Sequence, residues 1–166
     1  SDRYEYYLPS YNYSTSFERK ELEGNFNWNS YGYNTLQKTN VMNSTITNDL
    51  NYLSSASFLD NGIKNNFGIY TKNLNSLGKN SEKYKNTPQS ELMSGYMFTS
   101  SLPLIKKNLT NKSTFEPRLS FKFSPHEMKN HEESRRRVDI SNVYNFNRLG
   151  LSDSMEEGAS LTIGID

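Results

Sequence analysis

From Ser10 to Phe17 the chain alternates strictly, with Tyr11, Tyr13, Thr15 and Phe17 in one phase and Ser10, Asn12, Ser14 and Ser16 in the other. Successive side chains of a strand point to opposite faces, so this period of two predicts a strand with one apolar and one wet face. A charged turn, Glu18-Arg19-Lys20-Glu21, leads to a second run in which Leu22, Gly24, Phe26 and Trp28 alternate with Glu23, Asn25, Asn27 and Asn29. Tyr31 and Tyr33 then fall out of phase, which predicts a bulge or a strand end near Ser30.

A third run begins near Thr39 and carries Met42, Ile46, Leu50, Tyr52, Ala56 and Phe58 at even positions. It reads either as one long strand or as two with a turn near Asn48-Asp49, and the register does not choose between them. Asp60-Asn61-Gly62 predicts a hairpin, because Asn-Gly tolerates the positive φ that tight turns need, and the strand after it spans roughly Ile63 to Leu74. Asn75 to Ser90 has no periodicity and predicts a mobile external loop. Alternation returns with Tyr96, Phe98, Ser100 and Leu102 against Met93, Gly95, Met97 and Thr99. A polar turn from Lys106 to Lys112 follows, and then Phe115, Pro117, Leu119, Phe121 and Phe123 alternate with Glu116, Arg118, Ser120 and Lys122.

The pattern predicts an all-β fold, an antiparallel meander of eight or nine strands with no helical crossover. An open meander of that size exposes two edges, which invite aggregation unless the sheet closes or continues. The expectation is therefore an eight-stranded barrel or an arc of a larger one. In a soluble sandwich the aromatic face would meet a second sheet. In a membrane barrel it would meet lipid, with Glu116, Arg118 and Lys122 facing a wet lumen.

Composition narrows the class. Hydrophobic residues make up only 33% of the chain and mean hydropathy is −0.86, but aromatics reach 13% and the net charge is +1, which is unlike a disordered chain. No segment approaches the roughly 20 continuous apolar residues of a membrane-spanning helix, whereas spanning strands leave a much weaker hydropathy signal. With no cysteine, disulfide frameworks and thiolate chemistry are out. Near-neutral charge argues against nucleic acid as the main partner. Without an initiator Met or a leader pattern, the 166 residues read as an excised segment.

Candidate chemistry is sparse. His126 and His131 are five apart, whereas a zinc-binding helix needs two His four apart, so His126-Glu127-Met128-Lys129-Asn130-His131 reads as a solvated loop after Pro125. Arg135, Arg136 and Arg137 lie beside Glu132 and Glu133 and read first as a solvated charge run. The functional alternative is a contact to an anionic lipid headgroup, since Arg matches phosphate oxygens bidentately. No acid/base pair, phosphate loop or nucleophile elbow stands out. The expectation is a non-enzyme with no cofactor and no metal.

Three blocks of sequence together resemble one family. They are Ser100-Ser101-Leu102-Pro103-Leu104; Phe115-Glu116-Pro117-Arg118-Leu119 followed by Ser124-Pro125; and Asp139 with Asn142-Val143-Tyr144, Asn147-Arg148, Asp153, Glu156, Gly158 and Thr162-Ile163-Gly164. Arg3-Tyr4-Glu5-Tyr6 with Leu8-Pro9 adds a weaker fourth. In order and spacing they are similar to the C-terminal barrel domain of the LptD family, the lipopolysaccharide-assembly proteins of the Gram-negative outer membrane, also called OstA or organic solvent tolerance proteins. Leu149 and Ser154 stand where the family usually has an aromatic and a basic residue.

The resemblance implies that residues 1–166 are a section of a large transmembrane barrel, without the periplasmic jelly roll and the remaining strands. It implies a share in inserting lipopolysaccharide into the outer leaflet, sugar through the lumen and acyl chains through a lateral seam. The implied partners are lipopolysaccharide, outer-membrane lipid, an LptE-like plug lipoprotein and the periplasmic bridge proteins. Glu116, Pro117, Arg118, Asp139, Asn147, Arg148, Asp153, Glu156 and Gly158 would serve as structural family motifs, and Asn147, Arg148, Asp153 and Glu156 read as a loop-closing set of hydrogen bonds and ion pairs. The rival expectation is a small stand-alone eight-stranded outer-membrane barrel or a soluble β-rich adhesin.

Overall fold

The computed structural model describes residues 5–37, 40–107, 112–128 and 137–165, apart from the side chains of 7, 20, 107 and 112. Strands dominate: β1 (Glu5–Arg19), β2 (Gly24–Gln37), β3 (Met42–Ser54), β4 (Ser57–Phe58), β5 (Lys64–Lys79), β6 (Gln89–Ser101), β7 (Leu104–Lys107), β8 (Lys112–Phe115), β9 (Pro117–Ser124) and β10 (Gly158–Ile165). One antiparallel sheet runs β1-β2-β3-β5-β6-β9-β10, with the short β4 also on β5, while β7 and β8 form a separate hairpin. The chain is thus an antiparallel meander, with the β7–β8 hairpin as an excursion between β6 and β9.

Register puts the alternation to use. Cross-strand partners share a face, so one face collects Tyr13, Phe17, Phe26, Trp28, Leu50, Tyr52, Phe67, Ile69, Tyr96, Phe98, Phe121, Phe123, Leu161 and Ile163. Its rings meet in cross-strand contacts: Phe17 stacks on Phe26 at 5.3 Å, and Tyr13 meets Trp28 edge-on at 5.5 Å. The other face collects Asn27, Asn29, Thr45, Thr47, Asp49, Asn66, Lys72, Ser120 and Lys122.

Burial is distributed the wrong way round for a protein folded in water. Among the described residues four apolar side chains are buried, against twelve polar or charged ones. Lys122 is 4% exposed and Lys72 5%, while Leu161 is 61% exposed and Ile163 73%. No second sheet covers the aromatic face among the described residues. Tyr11, Tyr13, Phe121 and Phe123 on the sheet, and Phe115 on the hairpin, are all exposed.

Several boundaries differ from the sequence expectation. β2 passes through Ser30 in unbroken register, so there is no bulge there; the register shift lies in β1, between Tyr7 and Ser10. Tyr31 and Tyr33 are out of phase because they point to the polar face, where Tyr31 has a partner. The run after Thr39 has no turn at Asp49, but it is not one strand to Phe58: β3 ends at Ser54 and Phe58 belongs to the separate β4. Strand β5 continues to Lys79 and β6 starts at Gln89, which shortens the expected Asn75 to Ser90 loop to residues 80–88. The strand foreseen through Phe115 breaks at Glu116 into β8 and β9. Gly62 does take a positive φ of 84° in the Asp60-Asn61-Gly62 turn, with its N–H on the Leu59 carbonyl. Residues Arg3, Tyr4, His131, Arg135 and Arg136 lie outside the described residues.

Candidate functional site

The polar face is roofed by a strap, residues 137–157, which leaves the sheet after β9 and returns as β10. A turn around Asp139 opens it: the Asp139 carboxylate accepts from the backbone N–H and hydroxyl of Ser141, and Asn142 donates to the Arg137 carbonyl at 2.8 Å. Asn147 then closes the next turn. Its amide donates to the Leu151 carbonyl and accepts from the Leu151 N–H, both at 2.9 Å, around Gly150 at φ 66°. An Asn side chain that mimics backbone in this way is a usual means of holding an aperiodic segment.

Three anchors tie the strap down. The first is hydrophobic: Phe146 stacks on Tyr70 of β5 at 3.9 Å, over a small cluster of Leu74, Met93 and Met155. The second is ionic: Glu156 holds Lys122 of β9 at 2.6 Å and takes a bidentate grip from Arg148, whose Nε lies at 3.1 Å. Lys122 also donates to the Phe146 carbonyl at 3.1 Å. The third is on the far side, where the Ser152 carbonyl accepts from Tyr31 at 2.6 Å and from Lys72 at 3.0 Å. Lys72 is itself paired with Asp49 at 2.7 Å. Next to it Asp153 meets Lys83 at 3.0 Å and the Tyr84 hydroxyl at 3.1 Å, so the 80–88 loop folds inward onto the strap.

The electrostatics follow from burial and pairing. Burial alone would raise the Glu156 pKa, but hydrogen bonds and charge from Arg148 and Lys122 outweigh it and hold the carboxyl below its usual value. Burial first, then the neighbouring Asp153 charge, push the Tyr84 phenol far upward, so it stays a hydrogen-bond donor at any physiological pH.

Of the family-motif residues, Arg118, Asn147, Arg148, Asp153 and Glu156 come together on the polar face or in its strap. Arg118 lies over the Tyr144 ring at 5.0 Å and 3.4 Å from Glu116. Pro117 opens β9 and Gly158 opens β10 at φ 83°. Asp139 sits apart, in the exposed turn. Arg137 is exposed beside it, and its backbone carbonyl accepts from Asn142. His126 lies 3.4 Å from the Ser94 hydroxyl, and no group of three or more His, Asp or Glu forms a metal site among the described residues. Sequence reading passed over Lys72, Lys83, Tyr84, Lys122 and Phe146 as site residues. Two signals pointed toward that face: Tyr31 and Tyr33 breaking phase, and the alternation that set Arg118 and Lys122 opposite the aromatics of β9.

Between strap and sheet remains a cleft of about 520 Å³, lined by asparagines (Asn51, Asn66, Asn145, Asn147), Tyr70, Tyr144 and the Lys72–Asp49 pair. That volume lies in the range of roughly 300–1,000 Å³ that admits a small ligand. The strap fits closely because Gly95 has no side chain: a Cβ there would run into the Phe146 ring. We expect Gly95→Val to lift Phe146, cost roughly 1–3 kcal/mol through overpacking, and expose the Arg148 peptide bond. Trypsin should then cut after Arg148 in the variant and spare it in the unaltered protein; equal cutting would mean that Phe146 does not pin the strap.

Comparisons with family models, with curated proteins and with solved structures return no match. No helix is long and apolar enough to cross a membrane, which says nothing of strands.

Proposed function

We propose that this sheet is an arc of a transmembrane β-barrel in the Gram-negative outer membrane, and that the barrel is a lipopolysaccharide translocon of the LptD kind. The observation that carries the reading is the inverted polarity: a face rich in aromatic and aliphatic side chains lies open across seven strands while Lys72, Lys122 and Asp153 are buried. Contiguous apolar surface on that scale needs a partner, and acyl chains cover it without requiring a second sheet. Five strands of 13 to 16 residues exceed the ~9–11 needed to cross a bilayer core. The edges β1 and β10 each have one neighbour, and further strands of the barrel would satisfy their backbone groups.

The lipopolysaccharide part of the proposal rests on the resembling blocks, whose Arg118, Arg148, Asp153 and Glu156 all belong to the wet side. In that role the wet face passes sugar and phosphate while acyl chains leave through a seam elsewhere in the barrel. A plug lipoprotein and periplasmic bridge proteins are the partners the resemblance implies, and nothing on this arc has to do catalysis.

Photo-crosslinking in living cells tests it. A photoreactive residue at Phe121 or Leu161 should give phospholipid adducts, and one at Asn51 or Asn66 lipopolysaccharide adducts. A protein recovered from the soluble periplasm, or wet-face probes that never touch lipopolysaccharide while the protein is essential for its export, would end this reading.

A further inference from the structure

The strap does more chemistry than a lid requires. Its two carboxylates, Asp153 and Glu156, are each set against a lysine from another part of the chain: Lys83 in the 80–88 loop and Lys122 on the wall. Lys122 is almost fully buried, and a buried cation has to keep an anion. The strap's backbone does the same for Lys72, through the Ser152 carbonyl. Lifting the strap takes a carboxylate away from both Lys83 and Lys122, whereas Lys72 retains Asp49. The uncovered wall is then cationic, lined with amide side chains, and continuous with the cleft.

We propose that Asp153 and Glu156 are resident stand-ins for a phosphorylated saccharide, whose phosphoryl groups displace the strap and take over Lys83 and Lys122. This rests on the translocon reading and names the chemistry its wet face recognises. A neutral sugar does not fit the role, because it would leave Lys122 buried without its counter-charge. A phosphoryl group presents several acceptor oxygens to an ammonium group and replaces a carboxylate in kind. The asparagines and Tyr70 then supply the hydrogen bonds and the ring face for the sugar to which the phosphate is attached. While no ligand is present, the strap keeps the lysines compensated and the lumen narrowed at this level.

The full-length barrel carrying this chain, in detergent or nanodiscs, provides the test. The described residues contain no cysteine, so a spin label at Ser152→Cys, whose side chain is exposed, reports the strap alone if the rest of the barrel is first freed of thiols. The probes are phosphorylated core oligosaccharide prepared by deacylating lipopolysaccharide, the same material after chemical dephosphorylation, and inorganic phosphate. The phosphorylated oligosaccharide should mobilise the label, and the dephosphorylated one should not. Inorganic phosphate at equal concentration should act weakly, which separates a saccharide site from a simple anion site. Asp153→Asn and Glu156→Gln keep side-chain shape and remove the competing charge, so each should tighten binding of the phosphorylated probe about five- to tenfold. Lys122→Gln should weaken it by a similar factor.

Saturable binding with an unmoved label, or equal binding of both oligosaccharides, overturns the inference and leaves the translocon reading standing. Failure of every variant and of the unaltered barrel to bind either oligosaccharide overturns both.

Discussion

On the proposed barrel reading, Phe121→Lys should destabilise the full-length protein in phospholipid vesicles by about 2–4 kcal/mol, the cost of setting an ammonium group against acyl chains near the bilayer centre. Phe121 is exposed and lies in register between Phe98 and Leu161, both also exposed and apolar, so its directly opposed neighbours offer the new charge no polar partner. On a water-facing surface the same substitution would stay within about 0.5 kcal/mol. Ser16→Lys, on the polar face of β1 and exposed, is the matched control and should be near neutral. Urea unfolding of both variants in vesicles reads the difference directly. A Phe121→Lys variant as stable as the control would place the aromatic face in water.

Glu156→Ala carries the second large effect, about 3 kcal/mol at neutral pH, because it strands two cations that the fold keeps from water. Lys122 and Arg148 side chains are 5% and 12% exposed, and Glu156 is the carboxylate they share. Lys122→Ala should cost less, about 1–2 kcal/mol, since Arg148 still holds Glu156 bidentately and leaves no charge unpaired. Equal losses in the two variants would mean that Arg148 is not a second latch. The Glu156 carboxyl is held below its ordinary value of 4.5, so its contribution is complete above 4.5 and disappears as pH falls from there through the lower folded value. The unaltered protein should therefore lose stability over that acidic window, and Glu156→Gln should lose less, having lost the contribution already.

The strands were legible because alternation is a local signal. Tyr11 through Phe17, and Leu119 through Phe123, reveal their two faces with no knowledge of a partner strand, and the meander followed from short connections. Which face would be buried was not legible. In water the aromatic side would go inside, and only the three-dimensional arrangement shows Lys72 and Lys122 covered and Phe121 bare. Phase was over-read at Ser30: Tyr31 and Tyr33 carry ring and hydroxyl, and a phenol suits a wet face once its hydroxyl finds the Ser152 carbonyl. Asn75 looked like loop because Asn, Ser and Lys have poor strand propensity, yet pairing with β3 and β6 carries β5 to Lys79. The strap was the least legible part. Its sequence has no period, and Lys72, Lys83 and Lys122, which define it as a site, come from other regions of the chain.

That spread of anchors also makes the strap depend on the register of the whole sheet. The Ser152 carbonyl is bonded by a tyrosine 121 residues earlier in the chain and a lysine 80 residues earlier, on strands β2 and β5 with β3 between them. Both donors reach it only when those three strands are in register, and the salt bridge at Lys122 needs β9 in place as well. The strap's anchors are therefore met together only by a complete sheet: one with a strand missing or slipped by a residue presents the wrong donors to the Ser152 carbonyl and to Glu156.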